Sequence, residues 1–139
     1  MKSKILFVCI HNSARSQMAE AFINKFAEGK YAAESAGIES GKLNPVVVQV
    51  MKEEGIDISV NKTKTVDEML EQKKQFNFII TVCDEVSAER CPVFPGGGKK
   101  MHWSFPDPST FAGTDDERII FIRNVRDAIK EKVKEFLNH

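Results

Sequence analysis

The chain has 139 residues, with 20 basic and 20 acidic side chains that cancel to a formal net charge of zero. A balanced charge gives no reason to expect nucleic acid or an anionic membrane as a partner. No apolar run approaches the roughly 18 residues that a membrane span requires. We therefore expect one globular domain over residues 1–139 and a monomer. The N-terminus enters an apolar run without a small-residue cleavage site, which predicts a cytoplasmic protein.

Predicted strands alternate with predicted helices along the chain. An apolar run at residues 5–8 predicts a buried strand, and helical periodicity follows at about 13–28. Further strands are predicted at 31–35 and 78–82, and further helices at 44–55, from Thr65 to about 71, and at 115–137. Such alternation predicts an α/β fold with a parallel sheet, whose ligands bind beyond the carboxyl ends of the strands.

The segment from residue 83 to 111 is predicted to be irregular for most of its length. It holds four of the five prolines and three consecutive glycines, at positions 96–98. Long loops of this kind in compact domains are usually functional or disordered. Because the segment follows a predicted strand end, we expect it to contribute to the site.

A cysteine and an arginine bracket a five-residue loop between the first strand and the first helix. Cys9 ends the apolar run, and Arg15 follows after five residues. A loop that wraps onto a helix start aims several N–H groups at one point, where the helix dipole adds positive potential. Such a site favours a thiolate nucleophile and a tetrahedral oxyanion, which a guanidinium can hold with two N–H groups. The predicted oxyanion-binding residues are Ile10, His11, Asn12, Ser13, Ala14, Arg15 and Ser16.

The pattern Cys-x5-Arg-Ser, placed after a strand at the N-terminus, resembles the low-molecular-weight protein tyrosine phosphatases. The resemblance implies a three-layer sandwich, with a central parallel sheet of about four strands and helices on both faces. It also implies that Cys9 attacks the substrate and that Arg15 binds the anion. By the same resemblance, Asn12 holds the loop in shape and the Ser16 hydroxyl supports the thiolate.

Two more cysteines, Cys83 and Cys91, lie eight residues apart after the strand predicted at 78–82. This spacing does not suit a structural zinc site, which favours cysteines two to four residues apart in sets of four. Cysteines in a reducing compartment are also unlikely to form a structural disulfide framework. Two interpretations remain open at this point: inert buried thiols, or a thiol relay in which at least one cysteine moves.

The second half of the chain is similar to the thioredoxin-coupled arsenate reductases. The matching motifs are Cys83, Cys91-Pro92-Val93-Phe94-Pro95, Lys99-Lys100-Met101-His102-Trp103-Ser104-Phe105 and Asp107-Pro108. This resemblance implies that Cys9 attacks arsenate while Asp107 protonates the departing oxygen. Cys83 then attacks Cys9, arsenite leaves, and Cys91 moves the disulfide to Cys83–Cys91 for reduction by thioredoxin.

Some of these reductases bind potassium through an asparagine, a glutamate, a serine and an aspartate. Asn12, Glu20 and Ser35 match the first three, but Lys64 or Thr65 stands where the aspartate would be. The departure argues against a potassium site. We therefore expect no tightly bound cofactor.

Two other functions are compatible with these residues. A phosphomonoesterase, such as a tyrosine phosphatase, needs only Cys9, Arg15 and Asp107, because phosphate and arsenate share shape and charge. Phosphate and sulfate are accordingly expected to compete for the loop. A thiol redox sensor or phosphate-holding protein would leave Asp107 unexplained. The electron donor also stays open on residues alone, with thioredoxin implied by the resemblance and glutaredoxin or a small thiol as alternatives.

Overall fold

The computed structural model describes residues 2–83, 98–108 and 111–138. Four strands form one parallel sheet in the order β2-β1-β3-β4, so that the first strand is central. The strands are β1 (Ser3–Cys9), β2 (Tyr31–Gly37), β3 (Phe78–Thr81) and β4 (Lys99–His102). The helices are α1 (Arg15–Phe26), α2 (Pro45–Lys52), α3 (Val66–Glu71) and α4 (Asp115–Leu137). The predicted α/β fold is confirmed.

Helices cover both faces of the sheet, as the resemblance implied. Alternate side chains of β1 point to opposite faces, because successive residues of a strand do so. Ile5 and Phe7 pack into one core with α1, α2 and α4. Leu6 and Val8 pack into a second, smaller core with α3. The central strand is therefore buried on both sides, which suits its continuous apolar sequence.

The strand β4 lies inside the segment that was predicted to be irregular for most of its length, and no strand had been placed at these four residues. Three of its four residues are exposed, and only Met101 is half-buried. A short edge strand protected by lysines carries no apolar alternation that a sequence pattern could reveal. The strand matters for the site because it leads from the sheet into the loop that holds Asp107.

The starts of α2 and α3 agree with the capping residues read from the sequence. Asn44 accepts a hydrogen bond from the N–H of Val46, and Thr65 accepts one from the N–H of Glu68. Thr114 forms a reciprocal capping box with Glu117 at the start of α4. Within the described part of the chain, no helix is long and apolar enough to cross a membrane.

A buried arginine joins α4 to α2. Arg126 is only 7% exposed, and its Nη1 donates to the carbonyl of Val50 and to Oε1 of Glu53, both at 2.8 Å. Arg123 reaches the same carboxylate from the surface, with Nη2 2.6 Å from Oε2 of Glu53. The hydrogen bond from Arg123 is the largest cause that lowers the pKa of Glu53, and the hydrogen bond from Arg126 lowers it further. Arg123 and Arg126 thus link α4 to the C-terminal end of α2.

Replacing Arg126 with methionine should lower the free energy of unfolding by about 2 kcal/mol, because the buried carbonyl of Val50 loses its donor. Urea unfolding followed by circular dichroism measures this change. Arg123→Met is the matched control, since Arg123 serves the same carboxylate from an exposed position and should cost less. Equal losses for the two variants would contradict the role assigned to the buried hydrogen bond.

Candidate active site

The two described cysteines lie at the carboxyl edge of the sheet, where the α/β topology predicts a site. Cys9 ends β1, and Cys83 follows β3, the strand beside it. Both are buried thiols, at 2% and 0% exposure. Cys91, the third predicted catalytic cysteine, lies outside the described residues. The structure thus brings the first two predicted thiols to the same end of neighbouring strands.

The helix that follows Cys9 begins two residues later than predicted, at Arg15. Ala14 has φ −143° and ψ −83°, which is outside the helical region, so the loop extends through residue 14. Among the described residues, no side chain caps this helix, in contrast to α2, α3 and α4. Its first N–H groups and its dipole are therefore turned toward the loop, where they favour a negative charge.

A second loop, residues 38–44, braces the first from outside. Backbone N–H groups of this second loop hold three carbonyl oxygens of the first. The bonds are Ile38 N to Cys9 O at 2.9 Å, Glu39 N to Ile10 O at 2.8 Å and Asn44 N to Ser13 O at 3.0 Å. These carbonyl oxygens are held by the second loop, while the N–H of Asn12 points at the Cys9 sulfur. This polarity is the one that an oxyanion site needs.

Two glycines allow the loops to approach so closely. A Cβ atom on Gly41 would lie 2.6 Å from the Cβ of His11, and one on Gly37 would lie 2.7 Å from the His11 carbonyl carbon. Both distances are shorter than any ordinary contact between carbon atoms. Only glycine therefore fits at these two positions if the backbone of the anion loop, residues 10–14, keeps its conformation.

Asn12 lies at the centre of the loop in a left-handed conformation, with φ 57°. Its N–H points at the Cys9 sulfur at 3.1 Å, and its Nδ2 donates to Oγ of Ser16 at 2.8 Å. Asparagine tolerates this backbone region better than most residues with a side chain. The residue is fully buried, so its place agrees with the shaping role that the resemblance implied.

The hydrogen-bond pattern assigns the direction of the bond between Ser16 and Cys9. Oδ1 of Asn12 accepts from the N–H of Lys64 at 2.9 Å, so its Nδ2 is the atom that faces Ser16. Since Nδ2 donates to the Ser16 oxygen, the hydroxyl proton is left to point at the Cys9 sulfur, 2.8 Å away. The Cys9 sulfur therefore faces two donors, which stabilise a thiolate.

Arg15 and Asp107 meet at the open side of the loop. Arg15 is 4% exposed, and its Nη1 donates to the Phe105 carbonyl at 3.2 Å. Its Nη2 lies 3.5 Å from Oδ2 of Asp107. The guanidinium is thus held by the loop after β4, and it brings the predicted acid to the predicted anion clamp. Three of the five predicted catalytic residues, Cys9, Arg15 and Asp107, therefore share one site.

The other predicted loop residues differ in exposure, and neither they nor His102 brings a further reacting group to the site. The exposed His11 lies with Nε2 3.6 Å from a carboxylate oxygen of Glu39. Ile10 and Ser13 are half-buried, and Ala14 is buried. His102, at the end of β4, is exposed and shares a 2.7 Å hydrogen bond with the Thr81 hydroxyl. These contacts are structural, and none of them adds a reacting group.

Glu20 and Ser35, which match two of the potassium ligands of the reductases, lie together. The Ser35 hydroxyl donates to Oε1 of Glu20 at 3.1 Å. Burial raises the pKa of Glu20, and the positive charge of Lys64 opposes that rise. The carboxylate is therefore balanced by a cation of the chain itself. Among the described residues, no group of three or more His, Cys, Asp or Glu side chains could hold a metal ion.

Gln17 is a polar residue of the site that the sequence reasoning missed. It is fully buried beside Ser16, and its amide contacts both Asn12 and the segment at residues 61–62. The sequence offers only one signal for it, its place directly after the arginine-serine pair. Two of its partners, Asn61 and Lys62, lie more than forty residues away, so their approach to Gln17 appears only in the folded chain.

Comparisons with known proteins agree with this geometry. The family model described as low molecular weight phosphotyrosine protein phosphatase matches residues 4–139. An arsenate reductase of Halalkalibacterium halodurans is 42% identical over 135 residues, which are 97% of this chain and 95% of that protein. An arsenate reductase of Bacillus subtilis is 39% identical over 137 residues, covering 98% and 96% of the two chains.

Solved structures show the same relationship. The crystal structure of arsenate reductase from Archaeoglobus fulgidus is 38% identical, with a TM-score of 0.76 over 97% of this chain and 99% of that chain. An arsenate reductase in the phosphate binding state is 31% identical, with a TM-score of 0.77 over 99% and 98%. A tyrosine phosphatase of Erwinia amylovora shares the fold at 19% identity, with a TM-score of 0.77 over 99% and 93%. The chain belongs to the low molecular weight phosphotyrosine protein phosphatase family, and within that family it groups with the arsenate reductases.

Proposed function

We propose that this protein reduces arsenate to arsenite by a relay through Cys9, Cys83 and Cys91, with thioredoxin as the electron donor. The observation that carries the proposal is a cysteine with two hydrogen-bond donors in an oxyanion loop, and a second buried cysteine that follows the neighbouring strand and shares the same core. The relatedness to arsenate reductases supports the substrate. The relay uses the chemistry of the three thiols, and thioredoxin is the donor that the resemblance to thioredoxin-coupled arsenate reductases implies.

The first half of the reaction forms a bond between sulfur and arsenic. Arsenate binds to the N–H groups of the loop and to Arg15, and the Cys9 thiolate attacks the arsenic atom. One arsenate oxygen leaves as water after it takes a proton from Asp107. Asp107 lies beside the clamp that would hold the anion, since its Oδ2 is 3.5 Å from Nη2 of Arg15. No electron has changed atoms at this stage.

The second half transfers two electrons. The Cys83 thiolate attacks the Cys9 sulfur, the sulfur–arsenic bond breaks, and its electron pair stays on arsenic, which leaves as arsenite. A Cys9–Cys83 disulfide remains. The Cys91 thiolate then attacks Cys83 and releases Cys9, so that the disulfide becomes Cys83–Cys91. The dithiol of thioredoxin reduces this bond and is itself oxidised to a disulfide.

The sheet register supports the first disulfide. Val8 pairs with Thr81, and the N–H of Val82 donates to the Val8 carbonyl at 2.8 Å, so Cys9 lies beside Val82. Cys83 is one residue further on. Cys83 belongs to the same buried core as Cys9, at the carboxyl edge of the sheet. That shared core supports a Cys9–Cys83 disulfide.

The compartment follows from the thiol chemistry. All three cysteines must be reduced before each turnover, and glutathione and thioredoxin maintain that state in the cytoplasm. We infer that the protein acts there. Glutaredoxin or a small thiol would complete the same electron balance, so the identity of the donor is a separate question from the relay.

A phosphomonoesterase is the second candidate, and the contact between Arg15 and Asp107 favours it as much as it favours the first. Cys9, Arg15 and Asp107 supply a nucleophile, an anion clamp and an acid, which are sufficient for hydrolysis of a phosphate ester. This function has no use for Cys83 or Cys91. The two candidates therefore differ in what the second and third thiols do.

We further propose that the loop needs no potassium ion. The positive charge of Lys64 already opposes the rise in the pKa of the half-buried Glu20, and the backbone N–H of Lys64 holds Asn12. A potassium ion beside Glu20 would also meet the charge of Lys64, at a cost from repulsion between the two cations. The lysine thus supplies a positive charge that already favours the ionised carboxylate.

The relay predicts a defined product after one turnover. Fully reduced protein exposed briefly to arsenate, without external reductant, should lose two hydrogens and contain a Cys83–Cys91 disulfide. Peptide mapping by mass spectrometry after thiol blocking locates the bond. In the Cys91→Ala variant the reaction should stop at a Cys9–Cys83 disulfide. The Cys9→Ser variant should form neither disulfide. Phosphate in place of arsenate is the control, and three thiols still reduced after arsenate would leave the phosphomonoesterase as the function to test.

Replacing Arg15 with lysine should weaken phosphate binding about tenfold or more, because an ammonium group cannot replace the planar fork. Isothermal titration of the reduced protein with inorganic phosphate measures the affinity without turnover. Arg123→Lys is the matched control, because Arg123 lies on α4 and pairs with Glu53. This variant should bind phosphate as the unaltered protein does. An unchanged affinity in Arg15→Lys would remove Arg15 as the clamp.

Replacing Lys64 with methionine should destabilise the protein more at pH 8 than at pH 5. The pKa of Glu20 is already raised by burial, and loss of the opposing cation raises it further. A raised carboxyl pKa means that the folded state binds more protons, so stability falls as the pH rises from the ordinary value through the raised one. Urea midpoints at both pH values measure the effect.

Lys62→Met, at a neighbouring exposed lysine, is the matched control and should show no such pH dependence. For the unaltered protein, equal concentrations of potassium and sodium chloride should give the same urea midpoint. A stabilisation specific to potassium would contradict the proposal that Lys64 takes the place of the ion.

A further inference from the structure

We propose that Gln17 is a positioning residue that holds Asn12, and through Asn12 and Ser16 sets the hydrogen bonds that the Cys9 thiolate receives. The inference rests on the proposed role of Cys9 as the nucleophile. It concerns a buried amide that touches neither the bound anion nor the reacting sulfur. Its effect is therefore on the reactivity of the thiol.

The orientation of the Gln17 amide follows from its neighbours. Its Nε2 faces three oxygens, namely the Asn12 carbonyl at 3.2 Å, Asn12 Oδ1 at 3.1 Å and the Lys62 carbonyl at 3.3 Å. Backbone carbonyls can only accept hydrogen bonds, so the nitrogen must lie on that side. The Gln17 oxygen accepts from Nδ2 of Asn61 at 3.1 Å. Every polar atom of this fully buried side chain is thus engaged.

Gln17 acts on Asn12 at two points. The hydrogen bond to the Asn12 carbonyl holds Asn12 at a φ of 57°, which is unfavourable for a residue with a side chain. In this conformation the Asn12 N–H reaches the Cys9 sulfur. The bond to Oδ1 reinforces the one from Lys64 and keeps Nδ2 on the side of Ser16. Both donors to the sulfur therefore depend on the same buried amide.

Two substitutions at Gln17 separate this role from simple packing. Methionine keeps the length and much of the volume of the side chain but offers no N–H group. Glutamate keeps the shape and an acceptor for Asn61, yet when ionised it turns an oxygen toward the oxygens of Asn12 and Lys62. In both variants Asn12 loses its support, and the thiolate loses part of its stabilisation. A residue that only filled space would tolerate both changes without effect on the sulfur.

The experiment measures the reactivity of Cys9 alone. In a Cys83→Ala/Cys91→Ala background, Cys9 is the sole remaining thiol of the three in the chain. The rate of alkylation by iodoacetamide, measured from pH 5 to pH 10, reports the thiolate fraction, because the thiolate is the nucleophile. Gln17→Met should react about tenfold more slowly near pH 7, and the difference should vanish at high pH, where the thiol is ionised in every variant. Gln17→Glu should show the same deficit.

Gln49→Met is the matched control, since Gln49 is exposed on α2, and it should alkylate like the background protein at every pH. Circular dichroism and urea unfolding establish which variants are folded. A folded Gln17 variant with the background's pH profile would overturn the proposal, and Gln17→Glu serves if Gln17→Met does not fold. The readout needs no arsenate, so failure to reduce arsenate would overturn the proposed function and leave this test intact.

Discussion

The site depends on one residue in an unfavourable backbone conformation. Asn12 turns the chain so that its N–H meets the Cys9 sulfur while its side chain meets Ser16. A left-handed residue is stable only where its surroundings hold it. Here a backbone N–H from Lys64 and a buried amide from Gln17 do so. The hydrogen bonds at the sulfur are thus a consequence of contacts made on the opposite side of the loop.

Those contacts come from segments that are distant in sequence. The turn at 38–44 holds the outer carbonyls of the anion loop, and the stretch 61–64 holds Asn12 and Gln17. The N–H of Gly37 also donates to the Lys64 carbonyl at 2.7 Å, which ties the two segments together. Both follow elements packed on the sheet. The shape of the oxyanion loop therefore depends on the segments at the carboxyl edge of the sheet. A site that is built on loops needs such support from its neighbours.

Much of this arrangement could be predicted from the sequence, for identifiable reasons. Cys9, Arg15 and Ser16 were found because strand, loop and helix start follow one another within a single short stretch. The apolar periodicity of α4 located that helix at the residues observed. In contrast, β4 was missed because its exposed lysines carry no apolar alternation. Gln17 was missed because a buried amide can be recognised only by partners that the fold brings to it.

The anion loop does not by itself separate arsenate from phosphate. Both are tetrahedral anions of the same charge, and the N–H groups and Arg15 respond only to shape and charge. The difference lies in the central atom, because arsenic in the proposed adduct can accept two electrons from a second thiol and leave as arsenite. Phosphorus offers no such reduction. Selectivity in the proposed reaction is therefore set outside the loop, by Cys83 just after the strand beside β1, and phosphate remains a competitor for binding alone.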